Sequence, residues 1–162
     1  GGRQTDIPYP KFGDRQSNTH AHFEFDGGIS LTAACRQENG TSPFSPLKVY
    51  GTKGVLDMTF GRQTITGEKP WKSEMPKKQA LVCEHEALFG ALRSGGHLNT
   101  MKQCADSCFV AIAGREASYA GKRVKTAWFR EKSRLSLLPE NLSLDAKKPV
   151  APIPNPTNYK LV

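Results

Sequence analysis

Between Asn18 and Arg36 two runs alternate apolar and polar positions with a period of two, the first of them strictly. In His20-Ala21-His22-Phe23-Glu24-Phe25, the residues Ala21, Phe23 and Phe25 share one face and His20, His22 and Glu24 the other. That is the period of a half-buried strand. Ile29-Ser30-Leu31-Thr32-Ala33-Ala34-Cys35-Arg36 repeats it, with Ile29, Leu31, Ala33 and Cys35 on the apolar side. Asp26-Gly27-Gly28 is the turn between them. Opposed residues of an antiparallel pair share a face, so the pattern predicts the register. Phe25 faces Ile29, Phe23 meets Leu31 and Ala21 meets Ala33. On the polar side His22 meets Thr32, His20 meets Ala34 and Asn18 meets Arg36.

A loop rich in Asn, Gly, Ser and Pro runs from Glu38 to Pro46. Leu47-Lys48-Val49-Tyr50, a turn at Gly51-Thr52-Lys53-Gly54, and Val55 to Phe60 then predict a second hairpin. Arg62 to Thr66 adds a short strand, and Gly67-Glu68-Lys69-Pro70 reads as a turn. Two helical periods follow. Leu81, His85, Leu88 and Leu92, with Val82 and Phe89 beside them, form an apolar stripe closed by Ser94-Gly95-Gly96. The second helix opens near Thr100, with Gln103 as partner in a capping box. Its predicted buried face is Met101, Cys104, Ala105, Cys108, Phe109, Ile112 and Ala113, and it ends at Ala120-Gly121. Arg123 to Phe129 is assigned to a last strand, and the chain from Arg130 onward to an irregular tail, extended and Pro-rich over 149–156.

Strands followed by helices predict an α+β fold: an open, mostly antiparallel sheet with helices packed on one face and a Pro-rich C-terminal tail. Residues 1–129 form the domain, and 130–162 pack on it or beyond it. The other sheet face carries the polar set Asn18, His20, His22, Thr32 and Arg36, and a half-covered sheet meets a ligand, another domain or a partner.

Composition narrows the function classes. The chain has 162 residues, 37% hydrophobic, and no apolar run approaches the ~20 residues of a membrane span. It opens on Gly1-Gly2-Arg3, without the basic and apolar segments of a signal peptide, and this start assigns no compartment. The formal net charge is +8, from 23 Lys and Arg against 15 Asp and Glu. These basic residues are scattered, with small clusters at Lys77-Lys78, Lys122-Arg123 and Lys147-Lys148. They read as a solvated surface rather than a nucleic-acid footprint. Cys35, Cys83, Cys104 and Cys108 form no Cys-x-x-Cys pair and are read as buried thiols. His85, on an apolar stripe, is read as a packed, hydrogen-bonded residue rather than a ligand. Gly51-Thr52-Lys53-Gly54 lacks the frame of a phosphate loop and reads as a hairpin turn. Glu140 and Asp145 lack the pairing that glycosidases use.

Several stretches resemble a known family when taken in order. They are Phe23-Glu24-Phe25-Asp26-Gly27-Gly28, then Cys35-Arg36-Gln37 with Asn39-Gly40, then Tyr50-Gly51-Thr52-Lys53-Gly54. Glu84-His85-Glu86 and Leu88 to Gly95 follow. Ala111-Ile112-Ala113-Gly114-Arg115-Glu116-Ala117-Ser118-Tyr119-Ala120-Gly121 comes next, and the tail closes on Lys160-Leu161-Val162. Together they resemble the C-terminal domain of Gfo/Idh/MocA-family oxidoreductases of the type common in Planctomycetes and Bacteroidetes. The resemblance runs over most of the chain. It implies a parent enzyme whose N-terminal Rossmann domain binds NAD or NADP, and whose C-terminal half lines a cleft for sugars, polyols or their derivatives and takes part in oligomerisation.

The Gly-x-Gly-x-x-Gly fingerprint and the family's catalytic Asp-x-x-x-His segment are both missing from these residues. The expectation is therefore a substrate-binding and oligomerisation domain, inactive alone, with no catalytic, cofactor-binding or metal residue of its own. Asn18, His20, His22 and Arg36 are the candidates for contact with substrate or with the missing domain. His20 and His22, on alternate strand positions, lack a third partner for a metal. The family's catalytic lysine lies in a Glu-Lys-Pro signature beside the nicotinamide. Here Glu68-Lys69-Pro70 follows two hairpins of the other domain, so Lys69 is a turn residue. Two further readings stay open: the same domain of an NAD-dependent glycoside hydrolase, and a stand-alone carbohydrate- or protein-binding module. The expected partners are the Rossmann domain, a sugar-like substrate and further copies of the chain, with neither nucleic acid nor membrane.

Overall fold

The computed structural model describes residues 1–3, 13, 15–42, 46–59, 61–74, 79–136, 143–145 and 152–162. Phe60, Glu140, the Lys77-Lys78 and Lys147-Lys148 clusters and positions 149–151 of the tail lie outside them. The fold is α+β, with open antiparallel sheets and three helices among the described residues. The chain divides into two compact units, one formed by residues 1–41 and 100–162, the other by 42–99.

The first unit is built on β1 (Asn18–Glu24) and β2 (Ser30–Arg36). Their register is the one that the alternation dictates: Asn18 opposite Arg36, His20 opposite Ala34, His22 opposite Thr32 and Phe23 opposite Leu31. Phe25 donates its N–H to the Ile29 carbonyl at 2.8 Å. Gly27 and Gly28 turn the chain at φ of 78° and 76°, a region that costs a side chain energy and glycine nothing.

Helix α2 (Met101–Ala120) lies against β1. The contact is made at Gly114, where an added Cβ would fall 2.6 Å from Phe23 Cζ and 3.7 Å from Ala21 Cβ. This puts the Ala21/Phe23 face of β1 on the helix. The buried residues of α2 are Ala113, Gly114, Glu116 and Ala120, all in its C-terminal half. The predicted buried face is therefore corrected: Met101, Cys104, Ala105 and Cys108 are exposed, Phe109 and Ile112 are half-buried, and only Ala113 is buried. The strand meets the helix at Gly114, in its C-terminal half, and the apolar period of the N-terminal half finds no such cover among the described residues. The apolar side of β2 is likewise open, with Ile29 64% exposed.

The capping box does not form. Thr100 stands at the N-cap with φ −104° and ψ 10°, no side-chain cap bond is made, and its hydroxyl oxygen lies 3.9 Å from Cys104 Sγ. At the other end Gly121 adopts the left-handed conformation, φ 61°, that closes helices.

Residues 126–132 are a helix, not the expected strand. In α3 (Thr126–Lys132) Phe129 is buried beside Phe109, ring centroids 5.7 Å apart, and Arg130 stacks on Phe109 at 4.2 Å. Both side chains lie against the Phe109 ring, the long Arg130 side chain reaching round to it from the next position. Irregular chain thus begins after Lys132 rather than at Arg130.

The tail returns to α2. Pro154 is buried, Pro156 lies against Gly121, and Gln16 ties the two by donating Nε2–H to the Pro154 carbonyl at 2.8 Å and accepting the Ser118 hydroxyl at 3.2 Å.

The second unit is a four-stranded antiparallel sheet in sequence order, β3 (Leu47–Tyr50), β4 (Gly54–Thr59), β5 (Arg62–Gly67) and β6 (Trp71–Lys72). Its register stacks Val49, Leu56, Ile65 and Trp71 across one face. Glu68 and Lys69 form the bend between β5 and β6, so Lys69 is a turn residue. Helix α1 (Ala80–Arg93) carries the predicted stripe but buries none of it; Leu81 is 66% exposed. His85 is hydrogen-bonded, its Nδ1–H donating to the Leu81 carbonyl at 2.7 Å, yet it is exposed rather than packed. The thiol assignment is corrected too: Cys35, Cys104 and Cys108 are exposed and Cys83 is half-buried.

Candidate functional site

The register of β1 and β2 gathers Asn18, His20, His22, Thr32 and Arg36 on the sheet face opposite α2. His22 Nδ1 and Thr32 Oγ1 are 3.2 Å apart across the strands. Asn18 donates its amide N–H to Glu38 Oε1 at 2.9 Å, and the Ser17 hydroxyl reaches the same oxygen at 3.4 Å. Glu38 is a member of this cluster that the strand alternation missed, because it lies past β2 and reaches back over its end. His20, His22 and Arg36 are exposed, and no described carboxylate pairs with Arg36. The face thus offers two imidazoles and an open guanidinium, groups that bind hydroxyls and carboxylates. No group of three or more His, Cys, Asp or Glu converges as metal ligands among the described residues.

Along the free edge of β1 the same unit opens into a groove of about 1060 Å³. Phe23, Phe109, Val110 and Ala113 give it an apolar floor, and residues 121–127 form its far wall. Charged pairs cross its rim: Arg123 with Glu24, and Arg130 with Asp106 at 3.4 Å. The Lys102 ammonium, hydrogen-bonded to Asp106 at 2.6 Å, holds that carboxyl below its ordinary range, and Arg130 adds to the effect.

Behind α2 lies a third cluster. Glu116 is only 1% exposed, and both of its oxygens are engaged. Oε1 accepts from Arg115 Nε at 3.1 Å and Nη2 at 2.7 Å, and Oε2 accepts the Tyr159 hydroxyl. Burial, followed by the bond to Glu116, pushes the Tyr159 phenol well above its ordinary range. Tyr119 meets Tyr159 edge to face at 5.4 Å. A buried carboxylate is tolerated only when its lone pairs are filled, so this cluster anchors the tail rather than presenting reactive groups to solvent.

No protein-family model, curated protein or solved structure matches the chain. The chemistry of these three clusters and the order of the motifs therefore carry the functional reading. No described helix is long and apolar enough to cross a membrane.

Proposed function

We propose that this chain is the substrate-side and oligomerisation domain of an NAD(P)-dependent oxidoreductase that acts on a sugar, a polyol or a derivative of one. The observation that carries the reading is the two-sided hairpin. One face of β1 is taken by α2, while the face bearing Asn18, His20, His22, Thr32 and Arg36 is left open. A cleft wall for a hydroxyl-rich substrate combines polar donors and acceptors with a cation, and this face carries Asn18, Thr32, two imidazoles and the Arg36 guanidinium. The ordered motifs from Phe23 to Gly121, which resemble the Gfo/Idh/MocA C-terminal domain, support the same reading. NAD or NADP would belong to a Rossmann domain outside this chain, because dinucleotide binding requires a glycine turn at a helix N-terminus after a strand.

Calorimetric titration of NAD and NADP tests the proposal. The 162-residue chain should bind neither, and the product of the whole gene should bind one at micromolar affinity. Micromolar binding by the chain alone would overturn the proposal, and so would an upstream coding segment without a Rossmann domain. The second outcome leaves a stand-alone binding module. Product analysis separates simple oxidation from glycosidic cleavage in the whole enzyme.

A further inference from the structure

The outer edge of β1 carries a free ladder whose register is already set. In an antiparallel pair, successive residues direct their N–H and C=O alternately to the two sides. Phe25 N–H and Ser17 C=O point toward β2, where they bond Ile29 and Gln37. Asn18 points the other way: its N–H and C=O exchange hydrogen bonds with Gly2 at 3.1 and 3.0 Å. By the same alternation His20, His22 and Glu24 aim their backbone groups outward into the groove, and no described residue bonds them there. Gly1 stands at the mouth of that groove.

We infer that this groove seats an extended strand that runs antiparallel to β1 and leads directly into Gly1. The Gly2–Asn18 pair fixes its position. Gly1 falls opposite Thr19, and each residue before it falls one position further along β1. About five residues, ~17 Å of strand, reach Glu24. The second and fourth residues before Gly1 then share the Ala21/Phe23 face and lie on α2, while the first, third and fifth lie on the histidine face. The occupant is the chain's own upstream segment rather than a second copy. The existing bridge already brings Gly2 onto this edge, and residues 121–127 stand across from it as a wall. The seated strand satisfies the outward amides of His20, His22 and Glu24, and it widens the polar face by one strand. This inference rests on the proposed function only in taking the chain to continue upstream of Gly1.

Amide hydrogen exchange by NMR tests it, comparing the 162-residue chain with the protein extended by the residues that its gene encodes ahead of Gly1. The amides of His20, His22 and Glu24 should exchange at least tenfold more slowly in the extended protein, while those of Ala21 and Phe23, bonded within the hairpin, serve as the control for folding. Unchanged fast exchange at His20, His22 and Glu24 with Ala21 and Phe23 protected would overturn the inference. A gene in which Gly1 directly follows the initiating Met would do the same. Titrating NAD and NADP into the extended protein separates the two ideas. Protection without cofactor binding keeps the strand and removes the oxidoreductase reading, and binding without protection does the reverse.

Discussion

The Phe23 ring lies over the backbone of Gly114, closely enough that a Cβ on Gly114 would sit 2.6 Å from Phe23 Cζ. Replacing Gly114 by Ala sets two effects against each other. Helix propensity gains about 1 kcal/mol, and the forced movement of a packed ring costs about 1–3 kcal/mol. The clash should win, with a net loss of about 1 kcal/mol in urea unfolding. In a Phe23→Leu background the loss from Gly114→Ala should shrink, because the shorter side chain makes room.

Gly90 gives the opposite result. It sits inside α1 with nothing within 4 Å of a built Cβ. Gly90→Ala should therefore stabilise α1 by about 1 kcal/mol, read as slower amide exchange along residues 80–93.

The tail anchor makes a pH prediction. The Tyr159 phenol is raised above its ordinary 10.0 in the folded chain. Above pH 10 the unfolded chain gives up this proton and the folded chain keeps it, so stability falls as pH rises past 10. Below pH 10 the contribution is complete. Tyr159→Phe should flatten that alkaline slope. It should also cost about 1–3 kcal/mol at neutral pH, because Glu116 Oε2 loses its donor inside the fold.

The polar face separates binding from stability. His22 and Arg36 are exposed, so His22→Ala and Arg36→Ala should each change unfolding free energy by no more than about 0.5 kcal/mol. On the proposed function, Arg36→Ala should raise the KM of the parent oxidoreductase at least tenfold, and Arg36→Lys should restore only part of it, since an ammonium lacks the planar fork of a guanidinium. An unchanged KM in both variants would exclude Arg36 from the proposed substrate wall.

Thiol labelling checks the altered burial pattern. Cys35, Cys104 and Cys108 should react with maleimide rapidly in the native chain, and Cys83 more slowly. Mass spectrometry of timed digests distinguishes them.

Much of the first unit was legible in the chain because its information is local. A period of two assigns each residue of β1 and β2 to a face, and a three-residue turn then leaves one register that keeps both faces consistent. Asn18, His20, His22 and Arg36 could be grouped on that basis alone, and the structure places them together. Glu38 escaped because it joins Asn18 from beyond the strand's end, where no period applies. The groove escaped because β1 lies more than 70 positions ahead of its other walls, α2 and residues 121–127.

Local patterning along the chain fixes the α+β class, the register of the first hairpin, the β3–β4 hairpin with β5 after it and the extent of the two longer helices. Each follows from a repeat within a few residues. β6 and the separation into two sheets were not in that patterning. Which of the periodic faces are covered depends on what packs against them. The stripe of α1 and the first half of α2 obey the helical period and remain exposed, because periodicity says which side chains align and not what stands opposite them. Burial of Glu116 needed Tyr159, 43 positions away, to fill its second oxygen. The α3 segment, read as a strand, is helical, and Phe129 and Arg130 both meet Phe109, 20 or more positions earlier in the chain. Local periodicity sets the elements, and distant partners set which of their faces are buried.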